Sequence, residues 1–246
     1  MDLITSEDIR LFCKITGDEN KAHQGNNPVV PGFMIDFLAK SHFDEIAKRK
    51  NPDLNFSGLN IKFKERLHNN QPYEFEHTEN FKDDSSDYEI NMTSEGVLIA
   101  KGAMHYRLNR PSPEKLELYS QTTTGNKTGR VYLLTQKYFE NVCSALRTPF
   151  ERMAGAVSRT SHALQNDNES QDIIFGEASN SRQPFFARHE LNVFSTTEQA
   201  LDENNMLIYI RKKGERKGTH YVSVQGASGE GKLIFDLTAA ISFETA

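Results

Sequence analysis

The chain has almost no cysteine, no long apolar run and no excess of positive charge, and each shortage narrows what it can be. Cys13 and Cys143 are its only cysteines in 246 residues, so neither a disulfide framework nor a Cys-x-x-Cys zinc or redox motif is available. Both fall in apolar helical patterns, where a buried, inert thiol is expected. No apolar stretch approaches the roughly 18 residues of a membrane span. The acidic opening Met1–Asp8 is unlike a secretory or transit signal. Together these predict a soluble, cytoplasmic protein with no membrane partner. The net charge is −5, with Lys and Arg scattered among Asp and Glu, and no nucleic-acid partner is expected. One basic cluster, Arg211–Lys217, reads as a solvated hairpin tip. The alternative is a grip on the phosphates of a coenzyme or nucleic acid, but no aromatic residue interleaves the run as a stacking surface requires.

The rest of the chain reads twice. The first half opens with a helix over Ser6–Ile15, capped by Ser6 with Glu7 and Asp8 near the positive end of its dipole. Ile9, Leu11, Phe12 and Cys13 lie on or near one face. A second helix runs from Pro31 to about Lys50. Phe33, Met34, Phe37, Leu38, Phe43 and Ile46 make it apolar on much of its circumference, as a helix wrapped by a sheet must be. Strands follow at Leu59–Phe63, Tyr73–Phe81, Tyr88–Met92 and Val97–Leu108, separated by turns at Asn69–Pro72, Lys82–Asp87 and Ser94–Gly96.

The second half repeats the plan. A helix is predicted over Leu134–Ala145, and another begins at Thr148, with Pro149 in its first turn. Strands are predicted at Asp172–Phe175, Ala187–Thr196, Asn205–Lys212, Thr219–Gly226 and Lys232–Phe243. Ser94-Glu95-Gly96-Val97 matches Gly229-Glu230-Gly231-Lys232 before each final strand, and Pro31 matches Pro149 at each long helix. The stretch Asn109–Arg130 is rich in Pro, Ser, Thr and Gly, a linker by composition. The expected domains are therefore 1–110, a linker at 111–130, and 131–246. Helix followed by strands, twice, is an α+β plan. This order resembles the hot-dog fold, and a fused pair would be a double hot-dog, each repeat a long central helix wrapped by an antiparallel sheet.

The segment richest in chemistry is Phe12–His23. Phe12, Thr16, Gly17, Asp18, Asn20 and His23 resemble the signature of the MaoC-like dehydratases and R-specific enoyl-CoA hydratases. In that family an aromatic residue precedes a Ser/Thr-Gly-Asp-x-Asn-Pro-x-His run at the end of a helix. The resemblance implies that Asp18 and His23 are the catalytic acid–base pair, with Asn20 as an orienting residue that borders the substrate. Adding water across an enoyl thioester needs a base for the water and an acid for the α-carbon, and such a pair supplies both. Five positions apart on a helix, the two side chains would diverge. The helix must therefore stop near Gly17 and the loop fold back. The enolate-like intermediate needs preorganised donors. The start of the second helix offers free N–H groups, and Gly32 is assigned to thioester binding there. The resemblance covers the first half to about Leu108, and the second half only in plan. Lys21 stands where the family has Pro, Pro31 where it has His, and the stretch from His23 to Gly32 is shorter.

These features predict hydration or dehydration of an acyl thioester. Coenzyme A or an acyl-carrier phosphopantetheine would be part of the substrate, and no metal or other cofactor would be needed. A non-catalytic hot-dog protein that binds acyl thioesters or serves as a structural partner is the alternative. An acyl-CoA thioesterase is a lesser one, with Asp36 or Glu45 of the long helix as its acid. His42, His68, His77, His105, His162, His189 and His220 show no metal-ligand spacing and are given structural or solvent roles. Homo-oligomerisation is left open. The second half lacks both the Asp-x-Asn-x-x-His run and the helix-start glycine, so it is read as the structural partner that completes the sheet and one wall of the pocket.

Overall fold

The structure is a computed structural model and describes residues 2–16, 18–112, 131–135, 175, 184–194, 205–228 and 231–243. Its elements in order are β1 (Asp2–Leu3), α1 (Ser6–Thr16), a 3-10 turn (Lys21–His23) and α2 (Gly32–Lys50). Then come β2 (Asn55–Phe63), β3 (Pro72–Lys82), β4 (Ser85–Ser94) and β5 (Val97–Arg107). The second half contributes β6 (Val131–Thr135), β7 (Pro184–Val193), β8 (Asn205–Arg216), β9 (Thr219–Ser228) and β10 (Leu233–Phe243).

All ten strands join one antiparallel sheet in the order β1-β3-β4-β5-β2-β7-β10-β9-β8-β6. Counted outward from the central β2–β7 pair, each half places its long strands first, fourth, third, second, and each adds a preceding strand at the outer edge. At the seam, Leu59 pairs with Leu191 and Ile61 with His189. These four residues are buried, while their neighbours Lys62 and Arg188 alternate to the other face, as the pleat requires.

Helix α2 lies on the inner face of β2–β5. Phe33, Asp36, Ala39, Phe43 and Ala47 are buried along it, and the Phe43 ring packs against Tyr88 and Phe75. The Tyr106 hydroxyl donates to Asp44 Oδ1 over 2.8 Å. One contiguous apolar core runs from Ile9 and Phe12 of α1 through α2 to Val222, Phe235 and Ile241.

Several details depart from the sequence reading. The cap of α1 is Thr5 rather than Ser6, because Thr5 Oγ1 accepts from the Asp8 N–H (3.2 Å) while Asp8 Oδ2 accepts from the Thr5 N–H (2.9 Å). Leu11 is exposed, since the buried stripe of α1 runs through Ile9, Phe12, Cys13 and Thr16. The loop predicted over Lys82–Asp87 is a tight hairpin with Asp83 and Asp84 between β3 and β4. Leu134 and Thr135 belong to β6, so no helix begins at Leu134. Phe175 is helical rather than in a strand. The basic cluster lies at the β8–β9 turn, with Lys217 and Gly218 at positive φ. Gly17, Cys143, the helix predicted from Thr148 and most of the 111–130 linker fall outside the described residues. Among the described residues, no helix is long and apolar enough to cross a membrane.

Candidate active site

The segment after α1 folds back through short-range bonds. The Asp18 N–H donates to the Cys13 carbonyl (2.9 Å), carrying the chain out of the helix. Asp18 Oδ1 then accepts from the Asn20 N–H (3.0 Å), and Asn20 Oδ1 caps the 3-10 turn through the Ala22 N–H (3.0 Å). This nested pair of Asx turns brings His23 round to face Asp18, with Nε2 and Oδ2 3.7 Å apart. Both side chains are buried. His23 Nδ1 lies 2.7 Å from the Val29 carbonyl. A carbonyl can only accept, so Nδ1 carries the hydrogen, and Nε2 is the ring nitrogen that faces Asp18. At 3.7 Å the two atoms are too far apart for a direct hydrogen bond.

The loop from Asn20 to Gly32 is tied down by backbone and side-chain bonds. Val29 N–H donates to the Ala22 carbonyl (2.8 Å), and Val30 N–H to the Leu67 carbonyl (2.8 Å). Asn20 Nδ2 donates to the Pro184 carbonyl (3.0 Å), fastening the motif to β7 of the second half. Both polar atoms of the Asn20 side chain are thus engaged with backbone.

A cavity of about 570 Å³ opens beside this loop. His23, Asn20 and Val30 form one wall, Gly32 and Ile35 of α2 the floor, Phe63 to His68 a second wall, and Pro184 to Ala187 of β7 the third. Asp18 lies behind His23 and does not line it. The wall that the short loop leaves out is therefore supplied by β7 and the β2–β3 connection. Space beside Gly32 is tight: a Cβ there would come 3.2 Å from the Phe63 ring, which would have to give by a few tenths of an ångström. No side chain caps the start of α2, so its first N–H groups remain available to an acceptor in the cavity.

The sequence reading missed His189. Its Nδ1 lies 2.5 Å from Asp36 Oδ2, and both residues are buried. Phe33 stacks on the His189 ring at 4.2 Å, with Phe63 and Phe186 edge-on at 5.1 and 4.5 Å. Burial pushes the Asp36 carboxyl above its ordinary range, against the pull of His189. Strict alternation would put Phe186 and His189 on opposite faces, but the β7–β10 register slips at Ala187, and this bulge turns both rings inward. Two signals were present: Asp36 sits on the apolar stripe of α2, three residues after Phe33, and His189 alternates with Leu191 and Val193. Glu45 is exposed and stands away from the cavity. Burial and the nearby Asp18 charge raise the Cys13 thiol, which suits an inert core residue. Among the described residues, no cluster of His, Cys, Asp and Glu could hold a metal.

No family model matches the chain, and no curated protein matches it in sequence. Solved structures do match along nearly its whole length. A MaoC-like dehydratase superposes with a TM-score of 0.62 at 11% identity, covering 99% of this chain and 95% of that one. An acyl-CoA thioesterase II from Mycobacterium marinum gives 0.60 at 10%, covering 96% and 98%. A protein of unknown function with a hot dog fold, from Alicyclobacillus acidocaldarius, gives 0.55 at 11%, covering 96% and 98%. At such identities the likeness defines the fold alone, and that fold is the hot-dog.

Proposed function

We propose that this chain is a double hot-dog protein whose first half hydrates or dehydrates acyl thioesters, with Asp18 and His23 as its acid–base pair. The observation that carries the reading is the convergence of these two side chains to 3.7 Å, with His23 on the wall of a cavity that Gly32 floors. In the hydration direction, His23 Nε2 takes a proton from water as the oxygen adds to the β-carbon of the enoyl group. Asp18, which stands behind His23, supports the imidazolium that forms. The electrons move into the thioester carbonyl, whose oxygen is held by the free N–H groups at the start of α2. The proton then returns to the α-carbon. Lys64 and Arg66 at the rim suit the phosphates of coenzyme A or a carrier arm. The fold also occurs in the acyl-CoA thioesterase and the MaoC-like dehydratase named above, which supports an acyl-thioester substrate and a dehydratase reaction for this chain.

The test is ultraviolet-monitored hydration of a short enoyl-CoA. His23→Ala is expected to abolish turnover, and Asp18→Asn to lower it by about 10²–10⁴. A loss of less than a few-fold in Asp18→Asn removes Asp18 from the mechanism. No turnover by well-folded wild-type protein across short and long acyl chains points instead to the non-catalytic binding module.

A further inference from the structure

The Asp36–His189 pair is unexplained by packing alone. It joins α2 of the first half to β7 of the second, and it places a carboxylate and an imidazole in a box of three phenylalanine rings. Asp36 Oδ1 and His189 Nε2 find no hydrogen-bond partner among the described residues. A buried polar atom left so is unusual enough in a native protein to call for a ligand or a chemical role.

The protonation of the pair follows from its burial. A net charge in such surroundings is strongly disfavoured, so the pair holds the two protons that make it neutral overall. They can be arranged in three ways: a protonated Asp36 donating to Nδ1, an ionised Asp36 accepting from an imidazolium, or a carboxyl protonated at Oδ1 that accepts from Nδ1–H of a neutral ring. The first two leave a hydrogen on Nε2, and in them the unpartnered atom is a donor.

Its position says what it could donate to. His189 Cε1, the ring atom between the two nitrogens, would lie 3.5 Å from a Cβ on Gly32. Gly32 begins α2, floors the cavity and offers the uncapped helix N-terminus. Phe63 and Phe186, which flank the imidazole, line the same cavity. His189 itself is fully buried and stands just behind the cavity lining, so a carbonyl oxygen would have to seat against Gly32 between these rings to meet backbone donors from one half and the imidazole from the other.

We propose that His189, held by Asp36, is a catalytic residue that donates its Nε2–H to the thioester carbonyl oxygen and to the enolate formed from it. The proposal rests on the hydratase reading for its reaction, but the hydrogen bond itself needs only a bound thioester. No proton is transferred at His189. The site is thereby completed across the β2–β7 seam: water is handled by Asp18 and His23, and the oxyanion by α2 and His189.

The first experiment is isotope-edited infrared spectroscopy of butyryl-CoA labelled with ¹³C at the carbonyl, a saturated thioester that cannot be hydrated. Bound to wild-type protein and to His23→Ala, its carbonyl stretch is expected to move to lower frequency. In His189→Phe or His189→Met, whichever folds, most of that movement is lost. Hydration then falls by about 10²–10³ if the reaction is as proposed. His189→Gln, which keeps an N–H, restores part of both. Independently of any mutation, ¹⁵N-histidine NMR of the wild type should show the His189 Nε2–H moving downfield when butyryl-CoA binds. An unchanged stretch in a folded variant lacking the N–H, or an unmoved Nε2–H, overturns the proposal. A shifted carbonyl without any hydration leaves the donor standing and removes the hydratase reading. Failure of the wild type to bind butyryl-CoA removes both.

Discussion

Asp18 and Asp36 are both buried carboxylates, and their surroundings ask different things of them. Asp18 is held by the Asn20 N–H at 3.0 Å and borders His23 at 3.7 Å. Asp36 faces aromatic carbon and a single imidazole. Its raised carboxyl has a consequence for stability. The native state keeps the proton where the unfolded chain has released it, so the contribution is complete below the ordinary carboxyl value of 3.8. It is lost as pH rises through the native value. Urea unfolding of wild type beside Asp36→Asn, which cannot titrate, should show the wild type losing relative stability as pH rises above about 4. A difference that stays constant with pH would mean that burial is not what governs Asp36. The two acids also differed in how visible they were. Asp18 and His23 are five residues apart, so one motif displays both. Asp36 and His189 are 153 residues apart, and only a register between two halves of the chain brings them together.

Among the elements, the long amphipathic segments were legible and their ends less so. The buried stripe of α2 and the alternation of β4 follow from residue type. The cap of α1 does not, because Thr5 and Ser6 are equally good capping residues and only the Asp8 contacts select Thr5. Thr5→Ala removes both sides of that box and is expected to lower unfolding stability by about 1 kcal/mol, while Ser6→Ala leaves the cap in place. Equal effects on the urea midpoint would reassign the cap. The β3–β4 turn was read too long because Lys82–Asp87 is polar throughout, and polarity does not distinguish a loop from the exposed ends of a hairpin. The bulge at Ala187 has no signature in composition at all. It follows from pairing with β10, and it is what sets Phe186 beside His189.

At the scale of the whole molecule, the repeated plan visible in the sequence corresponds to the matched strand order on either side of β2 and β7. The sequence could not supply the closeness of the seam. A Cβ on Gly58 would come 2.5 Å from the Leu191 carbonyl oxygen on the facing strand. Gly58→Ala therefore forces β2 and β7 apart, with an expected loss of about 1–3 kcal/mol and a weaker grip of Asn20 on Pro184. Circular dichroism with urea titration checks the first, and an unchanged midpoint would show that the seam yields without strain.

The pairing of Ile61 with His189 carries a further meaning for how this chain can change over time. Side chains alternate along a strand, so a one-residue insertion or deletion in the paired part of β7 would reverse which face each of them meets. Arg188 or Glu190 would then enter the ring of phenylalanines and His189 would point to solvent, with every residue of the motif in the first half intact. Descendants of this chain can lengthen or shorten the turn after Arg216 freely. In the two central strands, reading frame along the pleat is inherited together with chemistry.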